Sequence, residues 1–171
     1  MKSLQEISAH RDNGWKGQYN RMMRWTEKFN QISIDEYQSS DKTQLYFDTM
    51  FACFQNIFFL KDWLQNDAKV CKNKLNEFIN LNKDIGLCRD ICNGTKHFDI
   101  TRASVDNEFA IIRQFNPLSK LMKQAESEIV ICADGVIYKP NKLIGDCINL
   151  WDKFIAENLN LTKTLNSNQE L

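Results

Sequence analysis

One stretch in the first half of the sequence constrains the fold more than any other, because it is apolar around most of a helical circumference. Ser39-Ser40-Asp41 carries residue types that begin helices, Gln44 is placed to complete a capping box, and the apolar pattern continues to about Asn66. A helix with so wide an apolar face is normally central in a bundle. The main stripe is formed by Phe47, Met50, Phe51, Phe54, Ile57, Phe58 and Lys61, and Tyr46, Cys53, Leu60 and Leu64 widen it.

Four further segments have helical periodicity and complete the predicted bundle. Each combines a residue type that favours a helix start with apolar residues at steps of three and four. Proline suits the first position of the last helix, because its missing N–H is not needed there. The four segments begin near Asp12 or Asn13, at Asp67, at Asp84 and at Pro140. The segment from Asp67 ends near Asn80, and the segment from Asp84 ends around Gly94–His97.

The region between the fourth and the last helix has a β pattern instead. Glu108–Phe115 contains β-branched residues and is expected to be extended. Within Glu128–Tyr138, the Asp134-Gly135 pair between two apolar runs predicts a hairpin with a type I′ turn. The expected fold is therefore mainly α: an up-and-down helical bundle with a small antiparallel β-hairpin inserted before the last helix. We expect one domain over residues 1–171, with a frayed polar tail from about residue 159.

Charge and cysteine usage narrow the function classes. The 171 residues contain 22 basic and 22 acidic side chains, so no overall positive charge attracts the chain to nucleic acid. The six cysteines form no CxxC pair, which argues against a zinc ribbon or a thioredoxin-type site. Without a signal-peptide pattern at the N-terminus, they are interpreted as buried small hydrophobes in a reducing, cytoplasmic protein. No apolar run is long enough to span a bilayer, so no membrane contact is expected.

One segment, LCRDICNGTKHFDITR, gathers polar groups that are able to carry chemistry. Arg89, Asn93 and His97 recur at steps of four on the fourth helix, and Asp90 and Lys96 flank them. An imidazole titrates near neutral pH and is suited to general acid–base catalysis. Arg89 and Lys96 are suited to holding a phosphate and stabilising charge on it. The alternative interpretation is a solvated helix face, with His97 helping to end the helix by bonding its last carbonyls.

The long helix ending in FFLKDWL, the helical core and the Asn-Gly-x-Lys-His pattern resemble proteins of the HEPN superfamily over about Asp41 to His97. That resemblance implies a helical bundle that dimerises, and in many members a metal-independent ribonuclease of toxin–antitoxin, abortive-infection or antiviral systems. It implies a homodimer with RNA as substrate, an antitoxin or other protein partner, and no metal or cofactor. The residues it indicates are His97, Arg89 and Asn93 for catalysis, and Lys96, Asp90 and Arg102 for substrate binding.

The motif departs from the family pattern in its spacing. Seven residues lie between Arg89 and His97, one more than the usual maximum, and aligning the family motif on His97 and Asn93 would place its Arg at Cys92. Either the Arg has shifted to position 89, or the motif is degenerate and the chain is a non-catalytic assembly module. A small-molecule pocket between helices remains a third hypothesis. Cys88 and Cys92 lack further ligands for a metal, and Trp63 is expected either to pack on a neighbouring helix or to stack on a base.

Overall fold

The computed structural model describes residues 13–32, 40–96, 103–106, 108–115 and 127–159. Within these residues the chain forms five helices and one three-stranded antiparallel sheet, so the mainly helical prediction with a small β element is confirmed. The predicted tail from residue 159 lies almost wholly outside the described residues. The elements are α1 (Trp15–Asn30), α2 (Ser40–Asn66), α3 (Lys72–Leu81), α4 (Lys83–Gly94), β1 (Ala110–Phe115), β2 (Ser127–Ala133), β3 (Val136–Tyr138) and α5 (Pro140–Asn158).

Helix α2 is the centre of the fold, as its wide apolar face predicts. It contacts each of the other four described helices. Burying one large apolar side chain contributes roughly 1.5–3 kcal/mol, so this single helix supplies much of the core's stability. The helix begins at Ser40, which places Asp41 in its first turn and not at the predicted cap. Its fully buried residues are Met50, Cys53, Phe54, Ile57, Leu60 and Leu64.

The start of α1 is fixed by a carboxylate from a distant part of the chain. The Trp15 N–H donates to Asp67 Oδ2 at 2.9 Å. Gly14 precedes it with a φ of 62°, and a Cβ at this position would lie 2.1 Å from Asp67 Oδ2. Only glycine therefore fits this helix start. The prediction that Asp67 caps the next helix is wrong, because α3 begins at Lys72 after Cys71 and Asp67 binds α1 instead.

The sheet has the order β1-β2-β3 with both pairs antiparallel. Asp134 and Gly135 both have positive φ, 49° and 70°, so the predicted type I′ hairpin is confirmed. Strand β1 adds a third strand to that hairpin, with Ile112 opposite Val130. The face carrying Ile129, Ile131 and Ala133 packs into the main core.

Helix α5 closes the bundle through an aromatic cluster. Pro140 is its first residue, as predicted. Trp151 is fully buried, and its ring lies 4.8 Å from that of Phe78 on α3, centroid to centroid. The Phe154 ring lies 4.6 Å from Phe78, which completes a three-ring contact between α3 and α5. No helix within the described residues is both long and apolar enough to cross a membrane.

The cysteines divide into buried and exposed thiols. Cys53, Cys88, Cys92 and Cys147 are fully buried, which confirms their interpretation as small hydrophobes. Burial raises the pKa of the Cys53 thiol to about 12. Cys71 contradicts that interpretation, because it is exposed just before α3. The backbone N–H groups of Lys74 and Asn73 lower the pKa of its thiol.

Candidate functional site

Helix α4 carries most of the predicted site, and its inner face fixes its position. Ile85, Leu87, Cys88 and Ile91 are fully buried against the core. Of the predicted site residues on this segment, Arg89 and Asn93 are half-buried and Lys96 is exposed. His97 and Arg102 lie outside the described residues, so their catalytic and binding roles remain predictions.

Asp90 does not lie on the polar stripe. Its side chain is fully buried, and its carboxylate accepts hydrogen bonds from the backbone N–H groups of Ser104, Val105 and Asp106. The distances are 2.7 Å, 2.6 Å and 3.2 Å respectively. A carboxylate saturated by backbone donors has little capacity left for a ligand. Instead of the predicted contact with a substrate, this geometry gives Asp90 the role of attaching the 103–106 segment to α4.

Gly86 has no side chain, which allows the 103–106 segment to approach the backbone of α4 closely. A Cβ at Gly86 would lie 3.1 Å from Ser104 Cβ and 3.2 Å from Val105 Cγ2, which is tighter than ordinary van der Waals contact. The 103–106 segment therefore lies almost against the backbone of α4, one turn before Asp90. The turn between α3 and α4 borders the same segment.

A cleft of about 570 Å³ opens between the α3–α4 turn and the 103–106 segment. Arg89 lines it, and its side chain is 28% exposed. The Arg89 Nε atom is buried and, among the described residues, has no hydrogen-bond partner; Asp90 Oδ1 is 3.9 Å away. The other polar residues lining the cleft are Asn80, Asn82, Lys83, Ser104 and Asp134.

Charge in this cleft is partly compensated within the protein. Lys83 Nζ lies 2.9 Å from Asp134 Oδ2, and that hydrogen bond raises the pKa of the Lys83 ammonium. Asp134 in turn occupies the hairpin turn, so the ion pair joins the start of α4 to the sheet. Arg89 thus brings to the cleft a guanidinium whose N–H groups are suited to an oxyanion.

The C-terminal end of α4 faces a different neighbour, helix α2. Gln55 Nε2 donates to Thr95 Oγ1 at 3.1 Å. The Lys96 ammonium lies over the Phe59 ring, 4.7 Å from its centroid. Among the described residues, Asn93 and Lys96 do not line the Arg89 cleft. The predicted group of polar residues is therefore divided between a cleft near Arg89 and a surface on α2 near Lys96.

The cleft residues from the α3–α4 turn were not indicated by motif spacing. The polar run Asn80-Leu81-Asn82-Lys83 reads as an ordinary helix connection. Its position beside Arg89 depends on how the 103–106 segment folds back, and no short-range pattern contains that information. Phe59 likewise falls outside the predicted apolar stripe of α2, so helical periodicity does not indicate it.

The thiols near α4 form no metal site in the part of the chain that is described. No group of three or more His, Cys, Asp or Glu side chains there is arranged to hold a metal ion. Cys88 instead donates from Sγ to the Phe54 carbonyl at 3.2 Å. Burial, with the neighbouring Cys147, raises the pKa of the Cys88 thiol well above its ordinary value.

No family model, curated protein or solved structure matches this chain. The function is therefore inferred from the residues themselves and from the resemblance carried by the Arg89–His97 segment.

Proposed function

We propose that this chain is a HEPN-like helical protein that cleaves RNA without a metal ion and acts as a toxin or phage-defence effector. In this proposal Arg89 binds the scissile phosphodiester and His97 transfers protons. Asn93 orients either the imidazole or the substrate. Two copies of the chain form the active dimer. The proposal takes its mechanism from the HEPN resemblance of the Asp41–His97 region.

The observation that carries the proposal is the state of the Arg89 side chain. Its Nε is buried and lacks an acceptor among the described residues, while the side chain lines a cleft. Because the side chain as a whole is 28% exposed, it is open to a ligand in the cleft, although the Nε atom itself is buried. A guanidinium–phosphate contact is among the strongest hydrogen-bonded pairs in proteins. A phosphodiester oxygen is the group that suits this position.

The proposed reaction is a transesterification that needs no co-reactant. The ribose 2′-hydroxyl loses its proton to the His97 imidazole and attacks the adjacent phosphorus. A 2′,3′-cyclic phosphate forms as the bond from phosphorus to the 5′-oxygen of the next nucleotide breaks, and that oxygen leaves with the proton that the His97 imidazole took up. Negative charge builds on the phosphoryl oxygens in the transition state, where Arg89 stabilises it. General acid–base catalysis of this kind typically contributes about 10²–10⁴-fold.

The test is cleavage of single-stranded RNA by the purified protein in excess chelator, together with growth of cells that express it. We expect cleavage and toxicity in the wild type, and a loss of at least about a hundredfold in both His97→Ala and Arg89→Ala. Arg24→Ala, at an exposed arginine on α1, is the matched control and should keep wild-type activity. Equal activity in His97→Ala and wild type, or intact RNA with purified wild type, would refute the proposal.

A non-catalytic assembly module is the second candidate, and one observation favours it. Ile112 and Ile137 are 44% and 61% exposed, and they lie on the face of the sheet opposite the core. Exposed apolar residues on one face are typical of interaction surfaces. The seven-residue spacing between Arg89 and His97 points the same way. Association that survives His97→Ala but is lost in Ile112→Ser/Ile137→Ser, measured by sedimentation, would support this function over the nuclease.

A further inference from the structure

We propose that Phe59 and Trp63 of α2, together with Lys96, form a platform on which single-stranded RNA stacks a base. The inference rests on the proposed function, because it takes RNA as the ligand of the α4 region. It adds a binding surface of different chemistry from the Arg89 cleft. That surface, defined by Phe59, Trp63 and Lys96, is called the aromatic platform below.

The two aromatic residues differ from the other large side chains of α2. Phe59 and Trp63 are four residues apart, so they lie one turn apart on the same face of the helix. Both are half-buried, yet among the described residues neither belongs to the hydrophobic core cluster nor packs against it. Phe47, Phe51 and Phe58 on the same helix do pack against that core. Within the described residues, packing in the core therefore does not account for two large aromatic groups at positions 59 and 63.

A cation lies over one of these two rings, that of Phe59. Lys96 Nζ is 4.7 Å from the Phe59 ring centroid, and the Gln55–Thr95 hydrogen bond holds the end of α4 on α2. Cys92 lies buried beneath the same region: burial raises the pKa of its thiol, Lys96 lowers it and Asp62 raises it. The exposed Asp62 carboxylate is 3.6 Å from Lys61 Nζ, so its charge is partly compensated. The platform thus combines two aromatic rings with the positive charge of Lys96, the residue that precedes position 97 in the chain.

Single-stranded RNA is the ligand that matches this chemistry. An aromatic side chain stacks on a base of any sequence, and a neighbouring cation binds the phosphate that follows it. In an A-form duplex the bases are stacked on each other and closed to such a contact. A strand with a phosphate on Lys96 would place an unpaired neighbouring base within reach of α2, because the Lys96 ammonium lies at the Phe59 ring. The platform thus predicts a requirement for single-stranded substrate.

The experiment measures binding of a fluorescent, 2′-O-methylated oligouridine, which has no free 2′-hydroxyl and so is not cleaved. We expect Phe59→Leu, Trp63→Leu and Lys96→Ala each to weaken binding, with the Trp63 change costing about tenfold or more. The matched controls are Lys28→Ala and Trp25→Leu, because Lys28 Nζ lies 4.7 Å from the Trp25 ring on α1 and forms an equivalent pair elsewhere. Circular dichroism melting verifies that each variant is folded.

The outcomes separate this inference from the nuclease proposal. Equal weakening by the α1 controls, equal affinity for a duplex of the same length, or no binding by the wild type would overturn the platform. Normal binding by Phe59→Leu and Trp63→Leu, with cleavage lost only in His97→Ala, would overturn the platform and leave the nuclease standing. Binding that depends on the platform without cleavage of unmodified RNA would support the platform and refute the nuclease.

Discussion

The two halves of the predicted motif on α4 are attached to the protein in opposite ways. Around Asp90, a buried carboxylate binds three backbone N–H groups of the 103–106 segment. Around Thr95 and Lys96, the contacts to α2 in the described part of the chain include an exposed hydrogen bond and a cation–π pair. Buried, charge-assisted bonds contribute far more to stability than exposed contacts. The first half therefore contributes more to the stability of the fold than the second half.

The largest effect expected from this comparison is on Asp90→Ala. The change leaves three backbone donors without their acceptor beside α4, and we expect a loss of about 3 kcal/mol in the free energy of unfolding. Urea denaturation followed by circular dichroism measures it. Asp62→Ala removes an exposed carboxylate on α2 and should stay within about 0.5 kcal/mol of wild type. A loss below about 1 kcal/mol in Asp90→Ala would contradict the claim that the Asp90 attachment stabilises the fold more than the contacts of Thr95 and Lys96.

An intermediate effect is expected at Asp106, which continues the attachment from α4 to the sheet. Its carboxylate accepts from the N–H groups of Asp134 and Glu108, in that order of importance, and these bonds lower the pKa of Asp106. Because the pKa of Asp106 is lower in the folded protein than its ordinary value of 3.8, the ionised carboxylate stabilises the fold at any pH above 3.8. That stabilisation is lost as the pH falls through the pKa of the folded state. Asp106→Asn should therefore be less stable than wild type at neutral pH.

The measurement is the urea midpoint of both proteins across the acid range. The difference between wild type and Asp106→Asn should shrink as pH falls below 3.8 and the wild-type carboxyl gains its proton. Asp62→Asn, at an exposed carboxylate bound to Lys61, serves as the control and should follow the wild-type pH profile closely. A difference that stays constant with pH would mean that Asp106 acts through shape and not through charge.

The smallest effect is expected in Gln55→Ala and Thr95→Val. Both remove the same exposed hydrogen bond between α2 and the end of α4, which we expect to contribute about 0.5 kcal/mol, and Thr95→Val also removes the bond that Thr95 Oγ1 donates to the Cys92 carbonyl. Thermal and urea unfolding should place both variants close to wild type, and the proposed nuclease function adds the expectation that RNA cleavage falls in both. If either variant loses as much stability as Asp90→Ala, the two halves of the motif are equally structural.

Local patterns predicted the elements of this fold well. The Asp134-Gly135 turn, the start of α5 at Pro140 and the central position of α2 all follow from short-range chemistry or periodicity, and all are confirmed. The sequence predicts strand β1 as an extended segment, but not its antiparallel pairing with β2. Such pairing is encoded in contacts distant in sequence, which a local pattern does not contain.

The site was predicted less completely, and for a related reason. Helical spacing placed Asp90 beside Arg89 on a polar stripe, because a carboxylate normally faces water. Its burial depends on the 103–106 segment, which supplies three N–H groups to it. Asp67 gives the same lesson, since it caps a helix more than fifty residues before it in the chain and not the one that follows. The partner of a polar side chain is decided by tertiary structure.

The uneven exposure of the thiols gives this protein a built-in reporter position. Cys71 is exposed and its pKa is lowered by the backbone N–H groups of Lys74 and Asn73, whereas four of the other five thiols are fully buried. A maleimide fluorophore at neutral pH should therefore label the start of α3 first, without any engineered cysteine. Cys53, Cys88 and Cys147 are buried on three different helices, so a reagent reaches them only when the bundle opens. The rate of their modification would therefore measure how often the whole bundle unfolds.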